Sequence, residues 1–165
     1  MAEGLLAHAL RSAVKPTTVS SAGSRAQPGM RMDPHAQAQL LRREAHVPGF
    51  RARRLTADMI EDADLILTAS RDHREDVVTL VPTSLRRCFT VRECARLLGF
   101  AGAPPGPCSP TELAATAAEL RGYGAGRDAE DIADPVGQGR RAFARTADEL
   151  AAALAPVARW LGASP

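Results

Sequence analysis

Asp64-Leu65-Ile66-Leu67-Thr68-Ala69 is a continuous apolar run bounded by polar residues. A half-exposed strand alternates polar and apolar residues, so an unbroken run of this length suits a β-strand covered on both faces. Just upstream, Thr56 caps a helix that carries Met59, Ile60 and Ala63 on its apolar side. Downstream, Ser70 or Asp72 starts a helix through Val77, Val78 and Leu80, and Pro82 closes it. Arg87-Cys88-Phe89-Thr90-Val91 reads as a further strand and Arg92 to Leu98 as a further helix. Strands that alternate with helices predict an α/β fold with a parallel sheet.

The flanks extend the same pattern. Glu3 to Val14 places Leu5, Leu6, Ala9, Leu10 and Ala13 at helical spacing. Thr17-Thr18-Val19-Ser20-Ser21 is short and β-prone, and Gly23 ends it, which predicts a strand followed by a loop. Asp33-Pro34 predicts a capped helix running to about Arg43. From Gly99 to Arg127 the pattern weakens: Gly102, Pro104, Pro105, Gly106 and Pro107 form a loop, and Ser109-Pro110-Thr111-Glu112 opens a short Ala-rich helix. Gly122, Gly124 and Gly126 do not make a dinucleotide fingerprint, because no strand precedes them and the third spacing is wrong. They read as a flexible approach to Asp131-Ile132-Ala133-Asp134-Pro135-Val136-Gly137. Arg140 to Trp160 is a closing helix with Phe143, Leu150, Leu154 and Val157 facing inward. Residues 1–165 form one domain.

Composition narrows the function. With 45% hydrophobic and 24% charged residues, the chain of 165 residues is suited to one globular domain. Aromatics are only 4%, so the core is mostly Ala, Leu, Val and Ile. Lys15 is the sole lysine, and a net charge of +2 without a basic run interleaved with aromatics argues against nucleic acid as a partner. No apolar stretch approaches the ~20 residues a bilayer needs, and no basic leader precedes the first apolar run. Cys88, Cys94 and Cys108 have neither disulfide-framework nor zinc-ligand spacing, and read as free thiols of a reducing cytoplasm. No metal or cofactor is expected.

A group of segments in fixed order carries a resemblance. They are Ser21-Ala22-Gly23, Met32-Asp33-Pro34, Arg51-Ala52-Arg53-Arg54-Leu55-Thr56, Ala63 to Thr68, Arg71-Asp72-His73-Arg74, Phe89-Thr90-Val91-Arg92-Glu93 and Asp131-Ile132-Ala133-Asp134-Pro135. Together they resemble the low-molecular-weight protein-tyrosine phosphatase family in its bacterial form, over about residues 1–98 and 130–160. The resemblance implies a three-layer, flavodoxin-like parallel sheet of strand order 2-1-3-4. It also implies an active-site loop after the first strand, a Cys, five residues, an Arg, then Ser or Thr and Pro. Met-Ala-Glu commonly follows that loop in the family, and this sequence opens on Met1-Ala2-Glu3. The first helix here therefore resembles the family's first helix, with the preceding strand and loop absent.

In such a loop, backbone N–H groups at a helix N-terminus cradle phosphate oxygens and lower the thiol pKa. The loop Arg holds two oxygens, and the thiolate attacks phosphorus to give a phosphocysteine that water resolves. None of the three cysteines supplies this motif: six positions after Cys88, Cys94 and Cys108 stand Cys94, Phe100 and Ala114.

By the resemblance, Asp134 before Pro135 is the general acid that protonates the leaving group and then the base for the hydrolytic water. Asp134-Pro135 as a mere turn former is the plainer alternative. Asp131 is the weaker candidate, since no Pro follows it. Val136 stands where an aromatic commonly lines the substrate pocket, which relaxes a strict phosphotyrosine preference. Ser21 matches a serine that supports the catalytic loop, or is simply a strand-end serine bonded to local backbone. Phe50 stands where a His often joins that support. His73, among Arg71, Asp72, Arg74 and Glu75, reads as a solvated helix residue.

The implied partner is a phosphotyrosine protein. Without the central strand, two edges of the sheet lose their ladder at ~1–3 kcal/mol per unsatisfied group, against a domain stability of ~5–15 kcal/mol. Either the flanking strands pair directly or the natural chain is longer, and the second is the expectation. The chain as it stands is expected to be inactive. The alternatives are a non-catalytic interaction protein on the same scaffold, or an arsenate-reductase relative, whose thiol relay Cys88 and Cys94 are poorly placed to serve.

Overall fold

The computed structural model describes residues 1–104, 106–123 and 131–162. The two strands fall where the apolar runs predict them. β1 (Ile66–Thr68) and β2 (Cys88–Thr90) pair in parallel, with Ile66 opposite Cys88, Leu67 opposite Phe89 and Thr68 opposite Thr90. Strand side chains alternate between faces, so this register sorts the core into two layers. Leu67 and Phe89 face the larger cluster, formed by Leu5, Leu40, Leu97, Leu113, Leu154 and their neighbours. Ile66 and Cys88 face a smaller one with Ile60, Val77 and Val81. Helices thus cover both faces of the sheet.

The helices are α1 (Ala2–Ala9), α2 (Pro34–Leu41), α3 (Ala57–Glu61), α4 (Arg71–Leu80), α5 (Val91–Ala101), α6 (Pro110–Glu119) and α7 (Arg140–Trp160). Their starts follow from caps. Asp33 Oδ1 accepts the His35 N–H at 2.7 Å, Thr56 Oγ1 caps α3, and Ser70 rather than Asp72 caps α4. Thr90 with Glu93, and Ser109 with Glu112, form capping boxes on α5 and α6. Phe143, Leu150, Leu154 and Val157 are all buried along α7, as their spacing predicts.

Two expectations need correction. The first helix stops at Ala9 instead of Val14: Leu10 is its C-cap, and the Leu10, Arg11 and Ala13 N–H groups close only local turns. Thr17 to Ser21 is not a strand. A strand is defined by its ladder, and β-prone residues without a bonded neighbour leave only extended chain. Among the described residues the segment neither joins β1 nor pairs elsewhere; just beyond it, Gly23 forms an isolated parallel bridge with Arg54. Pro82 does close α4, but the chain continues as a 3₁₀ segment over Pro82–Arg87 before β2. Gly124, Gly126 and Pro105 lie outside the described residues. No described helix is long and apolar enough to cross a membrane.

Candidate active site

The segment from Asp131 to Gly139 lies at the C-terminal end of β1 and leads into α7. Three bonds pin it. The Ile132 N–H donates to the Ala69 carbonyl just beyond β1 at 2.8 Å. The Arg71 N–H, in the first turn of α4, donates to Asp131 Oδ1 at 2.8 Å. Thr146 Oγ1 on α7 donates to the Ala133 carbonyl at 3.3 Å. Ile132 and Pro135 are buried, so the segment is anchored by side chains as well as backbone.

Between these anchors Asp134 faces solvent. Its Oδ1 accepts the Val136 N–H at 3.0 Å, an Asx-type turn, and Gln138 Nε2 donates to its carbonyl at 2.9 Å. Gly137 closes the turn at φ +78°, where a Cβ is disfavoured. The two acids therefore differ in what they can do. Asp131 is held by a helix N-terminus, with the Arg71 guanidinium 3.9 Å away. Asp134 has one carboxylate oxygen without a protein partner among the described residues, and can carry a proton to or from a bound molecule. Val136 is 68% exposed beside it.

Ser21 stands in a different set of contacts. Its Oγ donates a short hydrogen bond to Glu3 Oε2 in the first turn of α1, and its carbonyl accepts from Arg53 Nε and Nη2 at 3.1 and 2.8 Å. No hydrogen bond joins Ser21 to the Asp134 segment among the described residues. Phe50 is half-buried, and its carbonyl accepts from Arg51 Nη1. His73 is exposed, with Nδ1 2.9 Å from Ser70 Oγ at the head of α4.

Behind the C-terminal end of β2 lies a group that the reading of the sequence did not single out. Glu93 is buried, with Arg74 Nη1 at 2.8 Å on one oxygen and Arg121 Nε at 3.0 Å on the other. Arg121 also donates to the carbonyls of Leu85 and Cys88, and its guanidinium lies 4.3 Å from the centre of the Phe89 ring. The spacing Thr90-x-x-Glu93 was the available signal for this residue.

The thiols are free, and Cys88 and Cys94 are buried. Burial pushes Cys88 up to about 11 against the pull of Arg74 and Arg121. Burial, reinforced by the Glu93 carboxylate, pushes Cys94 up to about 12. Burial also raises the pKa of Cys108. An activated nucleophile needs the opposite shift, so none of the three is one. No cluster of His, Cys, Asp or Glu able to hold a metal occurs among the described residues.

Comparison with known proteins bears on the fold and the family. The sequence matches the family model described as low molecular weight phosphotyrosine protein phosphatase over residues 1–96. No curated protein sequence matches it. Several solved structures share the fold. A mutant of YwlE from Bacillus subtilis superposes with a TM-score of 0.71 at 22% identity, covering 97% of this chain and 87% of that one. The tyrosine phosphatase Wzb from Escherichia coli K30, solved with sulphate, gives 0.70 at 19% identity, covering 98% and 87%. The YwlE arginine phosphatase from Geobacillus stearothermophilus gives 0.67 at 22% identity, covering 95% and 80%. With the family model spanning more than half of its residues, the chain belongs to the low molecular weight phosphotyrosine protein phosphatase family.

Proposed function

We propose that this domain serves phosphomonoester hydrolysis on phosphorylated proteins in the cytoplasm, with Asp134 as general acid and then general base. The observation that carries the reading is the solvent-facing Asp134 carboxylate on a segment fixed at Asp131, Ile132 and Ala133. In a form of the domain that carries the family's loop cysteine, the thiolate would attack phosphorus and the P–O bond to the leaving group would break, that oxygen taking a proton from Asp134. Water cleaving the S–P bond would then return a proton to Asp134 and release phosphate and the thiolate. Ser21 would support the nucleophile loop through the Glu3 and Arg53 contacts. Val136 would border the leaving group, and a small aliphatic there suits either a phenolic or a guanidino phosphate. The structural relatives are named as tyrosine and arginine phosphatases; the phosphomonoester of the first is the substrate class proposed here, with the P–N bond of a phosphoarginine as the alternative.

Residues 1–165 hold no Cys-x5-Arg sequence, and their thiols are protonated at neutral pH. The 165-residue chain by itself is therefore proposed to be inactive. Purified chain should not turn over para-nitrophenyl phosphate; turnover that Asp134→Ala abolishes would overturn the inactivity. Adding a relative's first strand and Cys-x5-Arg loop ahead of Met1 tests the role of Asp134. Activity should appear and fall by about 10²–10⁴-fold in Asp134→Ala. An equally active Asp134→Ala fusion would remove the assignment. Failure of the fusion to gain activity, with a stably folded monodisperse chain, would favour a non-catalytic interaction protein.

A further inference from the structure

Five arginines stand on two loops that the fold knits together. Arg25 and Arg31 lie in residues 23–32, and Arg51, Arg53 and Arg54 in residues 50–55. Four backbone hydrogen bonds join the loops. Gly23 N–H donates to Arg53 and Leu55 N–H to Gly23, while Gly29 N–H donates to Ala52 and Ala52 N–H to Met30. Arg31 thereby neighbours Arg51 and Arg53 across the paired backbone, and Arg54 reaches the carbonyl of Ser24, beside Arg25. All five residues are exposed.

The nearest acids, Asp33 at the head of α2 and Glu3 on the Ser21 hydroxyl, lie outside the two loops. Neither loop contains an acidic residue, and none of the five makes an ion pair among the described residues. The guanidinium bonds they do make go to carbonyls: Arg53 to Ser21, Arg54 to Ser24 and Arg51 to Phe50. Five positive charges exceed the net charge of the whole chain, +2, so the rest of the protein is net acidic. The patch runs directly into α2, where the His35 ring lies 5.5 Å from the Phe143 ring in the first turn of α7. That turn follows the Asp134 segment in the chain.

We propose that this patch docks a short acidic polypeptide segment. Arg forks match carboxylates in bidentate geometry, and several fixed forks favour a run of Asp or Glu. A long nucleic acid would extend from the patch onto a net-acidic surface, and the patch offers no exposed aromatic platform for bases. The proposal draws on the phosphatase reading only in identifying the segment as the flank of a phosphorylated side chain; docking itself needs no phosphate.

The test is fluorescence anisotropy of a labelled hexaglutamate peptide with the 165-residue chain, at low and physiological salt. Binding should weaken as salt rises. The variant Arg25→Gln/Arg31→Gln/Arg51→Gln spares the carbonyl bonds of Arg53 and Arg54 and should weaken binding by about tenfold. A charge-matched variant with dispersed changes, Arg42→Gln/Arg86→Gln/Arg159→Gln, should change it by no more than about twofold. Unchanged thermal melting of both variants confirms that each folds. Equal losses in the two variants, absence of peptide binding, or tighter patch-dependent binding of a single-stranded oligonucleotide would each overturn the proposal.

Discussion

The Asp131 carboxylate accepts the Arg71 backbone N–H at 2.8 Å, tying the segment before α7 to the first turn of α4. The first N–H groups of a helix have no partner within it, and a carboxylate there is favoured by both the hydrogen bond and the helix dipole. With its side chain 45% exposed, Asp131 contributes only about 1 kcal/mol of the larger value a buried charged bond would have. Asp131→Ala should therefore lower unfolding stability by about 1 kcal/mol in urea titrations. Asp134→Ala loses only a local turn bond and should cost about 0.5 kcal/mol or less. A larger loss from Asp134 than from Asp131 would reverse the roles given to the two acids.

Glu93 stands at the other extreme of burial. Its carboxylate lies between Arg74 and Arg121 and also accepts the Thr90 N–H at 3.3 Å. Removing one member of a buried ion pair leaves the partners' charges uncompensated, which costs about 3–5 kcal/mol. Glu93→Gln keeps the shape and one capping acceptor, so its loss should be smaller than that of Glu93→Ala, which should approach that range. Urea denaturation of the two variants compares them directly. Loss below about 1 kcal/mol in Glu93→Ala would show that the two arginines find other partners.

These two sites show what could be read along the chain. Caps at Asp33, Thr56 and Ser109 were legible because cap and helix are neighbours in sequence. The strands at Ile66 and Cys88 were legible because burial on both faces leaves an apolar run. Thr17 to Ser21 misled, since β-propensity describes a side chain and a strand requires a bonded neighbour. Glu93 and its arginines lie 19 and 28 residues apart, and Asp131 lies 60 from Arg71, so only the fold reveals those pairs. Asp134 is legible through its match to a family motif, while the contrast between its merely local bonds and the tether of Asp131 to α4 is visible only in the fold.

Cys94 gives the protein an alkaline limit. Its thiol is pushed up to about 12 from an ordinary 9.0, so the folded state keeps the proton that the unfolded chain loses above pH 9. Below pH 9 both states are protonated and stability does not depend on this group. Between about pH 9 and 12 the unfolded state is favoured by about 1.4 kcal/mol per pH unit from this thiol. Cys88, raised to about 11, adds a like slope between about pH 9 and 11, and beyond the thiols the sequence holds only one Lys and one Tyr. Unfolding stability should fall from pH 9 to pH 10.5, and Cys94→Ala should reduce that slope by about half, leaving the part that comes from Cys88, whatever it does to stability at pH 7. An unchanged slope would mean that the thiol is not protected from water.

Gly4 and Gly99 put two opposing effects of the same substitution in one protein. Each sits within a helix, α1 and α5, where Ala is favoured over Gly by up to about 1 kcal/mol. A Cβ on Gly99 meets nothing within 4 Å, so Gly99→Ala should stabilise by about 0.5–1 kcal/mol. A Cβ on Gly4 would lie 2.9 Å from the Ala45 carbonyl oxygen, 2.9 Å from Val47 Cγ2 and 3.0 Å from Leu40 Cδ1. The Val47 side chain can rotate, but the Ala45 oxygen belongs to backbone held by the Ala45 N–H bond to Leu40 and by Glu44 at φ +56°. Such overpacking costs about 1–3 kcal/mol, which outweighs the gain in helix propensity. Gly4→Ala should therefore destabilise while Gly99→Ala stabilises. If both stabilise, the turn from Glu44 to Val47 does not pack on α1 as closely as this structure has it.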